Sequence, residues 1–247
     1  MSTADRGDSS SPGPLTPNPG SLAALEPGRV GYARALELQR RLVDLRLRDE
    51  IPDTLVLLEH PPVLTLGRNR GPENLLVSEE ELRRRGVSVH KVERGGDITF
   101  HGPGQLVGYP VFRLKSGLVG VRRFVELVQQ ALIDALTGLG VRTEARPGHI
   151  GVWVENRKIA SLGIAVRHGV TFHGFALNVS TDLSWFRLIN PCGMSADVMT
   201  SVTEEDGEGD WDTACRLVVE SFEKRFGLRR QAYLPRSLTS LTNRPSS

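Results

Sequence analysis

Apolar residues recur every three or four positions in three segments of the chain, which is the spacing of an amphipathic helix. These predicted helices cover residues 30–49, 121–136 and 211–226. A shorter helix is predicted for residues 78–85, because Ser78 and Glu81 form a capping box and Gly86 follows. The stripes of the last two long helices are explained by packing against a core, and Cys215 is predicted to be a small core residue.

Short apolar or alternating runs predict the strands, which cover residues 54–59, 63–66, 87–92, 106–114, 150–154, 158–166 and 170–179. Short polar turns separate the last three runs, so these strands are predicted to be antiparallel neighbours. His60 lies in a proline-containing break between the first two strands. We interpret it as a hydrogen-bonded structural residue, with a place at the edge of a site as the alternative. Strands and helices follow one another without regular alternation, which predicts an α+β fold.

The two ends of the chain differ in composition from the middle. Residues 1–28 are rich in Ser, Gly and Pro, and such a segment buries too little apolar surface to offset the entropy of ordering. They are predicted to form a disordered tail, and residues 236–247 a flexible C-terminal tail. Residues 29–235 are predicted to form a single folded domain.

Charge and composition exclude several functional classes. The chain has 247 residues and a net charge of +2, and it lacks a basic patch with interleaved aromatic residues, so nucleic-acid binding is not expected. It shows no apolar run of the length that a membrane span needs, no secretory signal pattern at the N-terminus, and too few cysteines for a disulfide framework. We expect a protein of the reducing cytoplasm without membrane contact.

The stretch Arg94–Gln105 combines glycines with polar groups of several kinds. It reads Arg-Gly-Gly-Asp-Ile-Thr-Phe-His-Gly-Pro-Gly-Gln, so a cation, a carboxylate, a hydroxyl, an imidazole and an amide stand among its glycines. Glycines allow sharp turns and the close approach of another group to the backbone. From this stretch alone, a substrate-binding loop and a surface hairpin both remain open.

Cys192 follows a proline and precedes a glycine, outside any apolar stripe. A turn at this point would present a thiol beside backbone N–H donors, as acyl transfer requires. The thiol needs a base or a cation, and His101, His173 and Lys158 are the candidates. Lys158 opens an apolar strand, where it is a solvent-facing turn residue or, if it points inward, a possible base. A metal site at His101, His173 and Cys192 is not expected, because no metal-binding spacing is present.

Four segments together resemble the signature of the octanoyl-protein transferases of lipoate biosynthesis. In the order of that family they are Arg94–Gln105, Lys158–Gly163 (Lys-Ile-Ala-Ser-Leu-Gly), His173–Asn178 (His-Gly-Phe-Ala-Leu-Asn) and Pro191–Gly193 (Pro-Cys-Gly). One segment alone is weak, whereas the four together are highly specific. The resemblance covers about residues 30–235. It implies a mixed α+β sheet domain packed with helices, shared with lipoate-protein ligases and the catalytic domain of biotin ligases.

The resemblance also implies a reaction. An octanoyl group moves from the phosphopantetheine thioester of acyl carrier protein to a lysine of a lipoyl domain, in E2 subunits of 2-oxoacid dehydrogenases or in glycine cleavage H protein. Cys192 takes the position of the acyl-thioester residue, and Lys158 takes that of the lysine that activates it. No cofactor and no metal are implied. The positions that correspond to substrate binding are Arg94, Gly95, Gly96, Asp97, Ile98, Thr99, Phe100, His101, Ser161, Leu162, Gly163, Gly174, Phe175 and Ala176.

Two other functions remain open. An ATP-dependent lipoate or biotin ligase on the same fold would need an adenylate site and no catalytic cysteine. A non-catalytic module would bind acyl carrier protein and form no acyl adduct. Acyl transfer that depends on Cys192 and proceeds without ATP separates the transferase from both.

Overall fold

The computed structural model of the protein describes residues 20–68, 74–114, 117–190 and 198–231. The predicted Pro191–Gly193 loop, with Cys192, lies outside the described residues, and so do residues 1–19 and 232–247. Among the helices of the described ranges, none combines the length and the apolar character that crossing a membrane needs.

The described residues contain eleven strands and four α-helices. The strands are β1 (Ser21–Arg29), β2 (Asp53–Glu59), β3 (Val63–Leu66), β4 (Ser88–Lys91), β5 (Ile98–His101), β6 (Gln105–Val111), β7 (Glu144–Arg146), β8 (His149–Val154), β9 (Arg157–Arg167), β10 (Val170–Asn178) and β11 (Arg229–Arg230). The helices are α1 (Tyr32–Leu47), α2 (Glu79–Arg84), α3 (Gly117–Gly138) and α4 (Trp211–Phe226). A 3₁₀-helix covers Leu183–Leu188.

Eight of these strands form one mixed sheet in the order β11-β1-β2-β6-β10-β9-β8-β7. β1 runs parallel to both of its neighbours, and the other pairs in this sheet are antiparallel. The remaining strands form a small sheet in the order β4-β3-β5. The glycine-rich stretch runs from the small sheet into β6 of the large one, so it lies where the two sheets meet.

Helices cover both faces of the large sheet. Successive residues of a strand point to opposite faces. Leu55 and Leu57 of β2 accordingly pack in the core under α3 and α4, whereas Val56 and Leu58 pack in the core under α1. The small sheet has its own core, in which Phe100 packs with Leu64, Leu82, Phe186 and neighbouring apolar residues. The mixed α+β architecture predicted from the sequence is confirmed.

Several elements agree with their sequence patterns. The last long helix has the predicted bounds, and Cys215 is 2% exposed within its buried stripe. The backbone N–H of Glu81 donates to Ser78 Oγ over 3.2 Å, which is the predicted cap of α2. β8, β9 and β10 are antiparallel neighbours, as their polar turns indicate. The short, charged edge strand β7 was not predicted, because it carries no apolar alternation.

The predicted tail boundary at residue 28 is wrong for the residues of β1. Leu22 and Ala23 are fully buried, and β1 lies between β2 and β11 inside the sheet. Averaging composition over the whole segment hid the short apolar run Ser-Leu-Ala-Ala-Leu. Pro27, which lacks a donor, lies where the pairing with β2 shifts register between Leu25 and Gly28, so it interrupts no regular ladder.

Candidate active site

A cavity of about 550 Å³ lies where the glycine-rich stretch meets β9, β10 and α3. It brings together thirteen of the fourteen substrate-binding positions implied by the resemblance, and Lys158 with them. The thirteen are Arg94, Gly95, Gly96, Asp97, Ile98, Thr99, His101, Ser161, Leu162, Gly163, Gly174, Phe175 and Ala176. Phe100 does not line the cavity. Its ring is fully buried in the core of the small sheet, stacked on Trp185 and edge-on to Phe186.

Two glycines allow the glycine-rich stretch to lie directly against its neighbours. A Cβ atom on Gly163 of β9 would lie 2.9 Å from the carbonyl oxygen of Gly95, and one on Gly67 would lie 2.3 Å from that of Gly96. The backbone N–H of Gly95 donates to the carbonyl of Ile164 over 3.3 Å. These contacts fix the height of the stretch above β9, and they leave no room for side chains at Gly67 and Gly163.

Arg94 and Asp97 brace the stretch from within. Arg94 is 8% exposed, and its Nη2 atom donates to the carbonyl oxygen and to Oγ1 of Thr65, each over 2.8 Å. Asp97 accepts from Asn74 Nδ2 over 2.6 Å and from the backbone N–H of Ile98 over 2.7 Å. Charge-assisted hydrogen bonds of this kind are stronger than neutral ones. The two charged side chains therefore hold the loop in shape as well as facing the cavity.

Lys158 points inward at the start of β9 and is 4% exposed. Its Nζ atom lies 5.4 Å from the ring centroid of Trp153. Gly151 makes room for it, since a Cβ atom there would lie 2.4 Å from Lys158 Cε, and the φ angle of Gly151 is +144°. Of the two alternatives for this lysine, the structure shows the inward one.

His101 is buried beside the cavity, and its Nδ1 atom lies 2.8 Å from Oε1 of Gln105. Burial is the main cause that lowers the pKa of His101 to about 3, and the charges of His60 and Arg94 act in the same direction. The ring is therefore neutral at physiological pH. It stacks on Tyr32, whose pKa is raised to about 12, mainly by burial.

His60 supports this aromatic group from behind the cavity. Its Nδ1 atom lies 2.6 Å from the carbonyl of Val30, and its Nε2 atom lies 2.7 Å from the hydroxyl of Tyr109. A carbonyl only accepts, so Nδ1 carries the proton and the hydroxyl of Tyr109 donates to Nε2. Burial lowers the pKa of His60 to about 4. The structural interpretation of this histidine is confirmed, and its ring lies 5.8 Å from that of His101.

His173 lines the cavity in an unusual backbone conformation. Its φ angle is +54° in the middle of β10, and its backbone N–H donates to Oε1 of Gln39 over 2.8 Å. Burial lowers the pKa of His173 to about 4, and its Nε2 atom has no hydrogen-bond partner among the described residues. Left-handed backbone at a residue other than glycine is held only where neighbouring groups over-determine it. Gln39, a polar side chain in the buried stripe of α1, supplies one such group.

The residues that line the cavity fall into two chemically different sets, which include residues from both faces of the large sheet. We call Arg94, Gly95, Asp97, His101 and Lys158 the polar wall. We call Val107, Val121, Val125, Leu162 and Phe175 the apolar wall. Val121 and Val125 belong to the α3 stripe that the sequence pattern assigned to core packing alone.

Other residues of the cavity could not be recognised as site residues from the sequence. Tyr32, Tyr109 and Trp153 carried no motif signal, and aromatic residues adjoining apolar runs are usually assigned to a core. Gln39, which does not line the cavity but supports it, had a usable signal, because it interrupts an otherwise apolar helical stripe. Cys192 lies outside the described residues, so its distances to Lys158 and His101 stay predictions. Within the described ranges, no three His, Cys, Asp or Glu side chains group as a metal site would need.

Comparison with known proteins defines the class to which this fold and site belong. The family model of the lipoyl protein ligase A/B catalytic domain matches residues 31–223. Lipoate-protein ligase A bound with ATP superposes with a TM-score of 0.70 at 15% identity, over 90% of this chain and 92% of that one. The bipartite lipoate protein ligase of Thermoplasma acidophilum gives 0.69 at 18% identity, over 90% of each chain. The chain belongs to the lipoyl protein ligase A/B catalytic domain family.

Within this family, the chain is similar in sequence to proteins that are named octanoyltransferases. An octanoyltransferase of Acidobacterium capsulatum is 51% identical over 197 residues, which cover 74% of this chain and 80% of that protein. An octanoyltransferase of Koribacter versatilis is 48% identical over 192 residues, which cover 76% of each. The similarity to the octanoyltransferases and the enzyme class of acyltransferase, both predicted from the four segments, are thereby confirmed.

Proposed function

We propose that this chain transfers an octanoyl group from the phosphopantetheine thioester of acyl carrier protein to a lysine of a lipoyl domain. The acceptors are the lipoyl domains of 2-oxoacid dehydrogenase E2 subunits and glycine cleavage H protein. The proposal rests on the burial of Lys158 in the lining of a cavity that has both a polar and an apolar wall. The curated relatives named octanoyltransferase support the choice of acyl group.

The proposed reaction has two steps, and in each step one thioester bond is broken and one new acyl bond is formed. The Cys192 thiolate attacks the carbonyl of the donor thioester, and the phosphopantetheine sulfur leaves and takes up a proton. The amine of the acceptor lysine then attacks the new Cys192 thioester and gives up a proton, and the Cys192 sulfur leaves. A thioester is already activated, so neither ATP nor a cofactor enters.

Lys158 is the proposed proton carrier of both steps. A lysine amine gains and loses a proton readily in a protein, whereas an arginine guanidinium does not. Its position over the Trp153 ring, in the slot left by Gly151, holds the amine at one edge of the cavity. From there it accepts the thiol proton of Cys192 and later returns a proton to the leaving sulfur.

The apolar wall is the proposed place of the octanoyl chain. Burying each methylene group of such a chain contributes about 0.8 kcal/mol. Val121 and Val125 of α3 line the cavity together with Leu162 and Phe175 of the sheet. The Phe175 ring is held in place because Gly108, opposite on β6, leaves room for it: a Cβ atom there would lie 2.0 Å from Phe175 Cζ.

Intact-protein mass spectrometry tests the proposal. The wild-type chain, mixed with octanoyl carrier protein and no ATP, is expected to gain one octanoyl mass that a lipoyl domain then removes. Cys192→Ala is expected to gain none. An adduct that persists in Cys192→Ala, or that maps to Cys215, would overturn the thioester mechanism. A strict requirement for ATP would favour the ligase activity instead, and carrier binding without any adduct would favour a non-catalytic module.

A further inference from the structure

A chain of side-chain amides connects His101 to the middle of the protein. Gln105 Nε2 donates to the carbonyl of Phe100 over 3.1 Å and to Asn178 Oδ1 over 3.0 Å. Asn178 Nδ2 donates to the carbonyl of Thr200 over 2.9 Å. Gln105 and Asn178 are each 1% exposed and face one another across β6 and β10. Neither amide carries an individual signal for a site role in the sequence.

Two backbone carbonyls determine the orientation of this chain. Carbonyl oxygens only accept, so the carbonyl of Thr200 requires the NH₂ end of Asn178, and the carbonyl of Phe100 requires the NH₂ end of Gln105. Gln105 must then turn its oxygen toward His101. The contact of 2.8 Å between that oxygen and Nδ1 is satisfied only if Nδ1 carries the proton. In the neutral ring, Nε2 is left as an acceptor.

The accepting nitrogen of His101 is the one turned away from Gln105. His101 lines the cavity and Gln105 does not, so we infer that Nε2 is on the cavity side of the ring. A thioester brings only acceptors at its reacting end, namely a carbonyl oxygen and a sulfur. An amine brings N–H donors. An acceptor on the polar wall therefore suits the attacking amine and not the thioester.

We propose that Gln105 and Asn178 are positioning residues that fix His101 as its Nδ1–H tautomer, so that Nε2 accepts a hydrogen bond from the reacting amine of the acceptor lysine. This role rests on the proposed function. His101 orients the amine, and the proton that the amine loses goes to Lys158. The amide chain thus serves the second step of the reaction and leaves the first step to other groups.

The groups that face His101 keep this acceptor available over a wide pH range. Tyr32 from α1 and His60, just after β2, lie against its ring, and Arg94 and His173 are also close enough to lower its pKa. Tyr32, His60 and His173 are neutral at physiological pH, and Arg94 is a cation that disfavours a second positive charge. With the pKa of His101 at about 3, Nε2 stays unprotonated throughout the working range of an enzyme.

The tautomer can be measured without any catalysis. In ¹⁵N-histidine-labelled wild-type protein, long-range ¹H–¹⁵N spectra at pH 7 are expected to show His101 with a protonated Nδ1 and an unprotonated Nε2. The signal is assigned by its loss in His101→Gln among the six histidines of the chain. A protonated Nε2, or an exchanging mixture of tautomers, would overturn the positioning role whatever the enzyme transfers.

The two half-reactions then test the role in catalysis. In Gln105→Leu, transfer from the octanoylated enzyme to a lipoyl domain is expected to fall at least about tenfold, the effect of losing one well-placed hydrogen bond. Octanoylation of the enzyme is expected to stay within about threefold. Gln231→Leu is the matched control, because Gln231 donates one hydrogen bond to Ser21 far from the cavity. Equal loss in both half-reactions, with a native melting temperature, would overturn the assignment to the amine.

Gln105→Met keeps the proposal testable if the leucine variant does not fold. Methionine has nearly the length of glutamine but offers Nδ1–H no comparable acceptor. Transfer in the folded variant is again expected to fall at least about tenfold, while octanoylation of the enzyme stays within about threefold. Wild-type rates in both half-reactions would contradict the role of Nε2. Failure of all acylation in the wild type would instead contradict the proposed function and leave the tautomer result standing.

Discussion

The polar and apolar walls of the cavity are held in place by different forces. On the polar wall, Arg94 and His101 are fixed by directional hydrogen bonds to Thr65 and Gln105. On the apolar wall, Val121 and Val125 are positioned by the packing of α3 on the sheet. Directional bonds make the first wall sensitive to the chemical identity of each group. Close packing makes the second sensitive to volume, so the two walls are expected to respond to different substitutions.

The largest effect is expected on the polar wall at Lys158. Lys158→Ala is expected to fold and to lose acyl transfer by about 10²–10⁴, the usual contribution of a positioned acid–base group. Lys158→Arg is expected to be equally inactive, because guanidinium does not release its proton. Single-turnover acylation, measured beside thermal melts, checks both.

Two results would contradict this assignment. Near-wild-type rates in Lys158→Arg would show that proton transfer is not its role. Full activity in Lys158→Ala, together with loss in His101→Ala, would indicate a Cys–His pair in its place.

Acid is expected to lower the free energy of unfolding through the buried histidines near the polar wall, whereas the apolar wall contains no residue that titrates. His60, His101 and His173 have folded pKa values of about 4, 3 and 4, below the unfolded value of about 6.5. Below pH 6.5 the unfolded chain binds more protons than the folded one, so the free energy of unfolding falls as the pH drops toward 4. Each histidine contributes at most about 1.4 kcal/mol per pH unit in that window.

Urea unfolding at pH 7, 6 and 5 measures this slope. His60→Gln is expected to reduce it, and Val128→Ala, in the core beside α3, is expected to lower stability equally at each pH. A slope unchanged by substitution of any of the three histidines would show that they do not stay neutral in the folded protein.

Substitutions at Gly163 and Gly95 test two different roles of the glycine-rich stretch. The first tests how the stretch keeps its shape, and the second tests whether substrate approaches its backbone. In Gly163→Ala the new Cβ meets the Gly95 carbonyl at 2.9 Å, so the loop must shift, at a cost of about 1–3 kcal/mol. In Gly95→Ala the nearest heavy atom is 3.7 Å away and no strained φ is involved, so the melting temperature is expected to stay native.

If substrate approaches the backbone at Gly95, acylation in Gly95→Ala is nevertheless expected to fall about tenfold or more. Wild-type acylation in this variant would show that the glycine serves packing of the loop alone. Loss of activity in step with loss of stability would support the interpretation of the stretch as a structural hairpin.

A larger side chain on the apolar wall is expected to change which acyl chain length the enzyme prefers. Val125→Phe adds bulk to the cavity and is expected to slow acylation by an octanoyl donor about tenfold, within the range that one or two methylene groups are worth in an apolar pocket. Acylation by a butyryl donor is expected to change much less. Val128→Ala on the same helix lies in the core and is the control, with lower stability and unchanged preference. An equal effect of Val125→Phe on both donors would place the acyl chain elsewhere.

The smallest effect is expected at Cys215. Burial raises the pKa of its thiol to about 12, so it is not a nucleophile at physiological pH. Cys215→Ala is expected to keep full transfer activity and to lose about 1 kcal/mol of stability from packing. Activity assays with urea unfolding check this, and a loss of acyl adduct in this variant would revive Cys215 as a candidate.

Most residues of the polar wall could be predicted from the sequence alone, because they belong to one short continuous stretch. The glycine-rich stretch and the segment after Lys158 each carry their own pattern, and the cavity brings them together. Phe100 was placed in the site only because its neighbours belong there, and strand geometry turned its ring into the core of the small sheet.

The apolar wall could not be predicted in the same way. Periodicity reports which face of α3 is buried, but it does not distinguish a face that meets a core from one that meets a cavity, so Val121 and Val125 were missed. β1 was missed for a related reason, since its burial depends on pairing with β2 and with a strand about 200 residues away. Non-local pairing leaves no mark in the local composition.

The pairing of β1 with β11 also determines when the edge of β1 can be covered during synthesis. The carbonyl of Gly20 accepts from the backbone N–H of Arg229, and that of Leu22 accepts from Gln231, so the first strand obtains its outer partner from nearly the last described residues. During synthesis β1 leaves the ribosome before β11, and its outer edge stays open until β11 emerges. An open strand edge recruits other strands. The nascent chain therefore carries a site for wrong association throughout that interval.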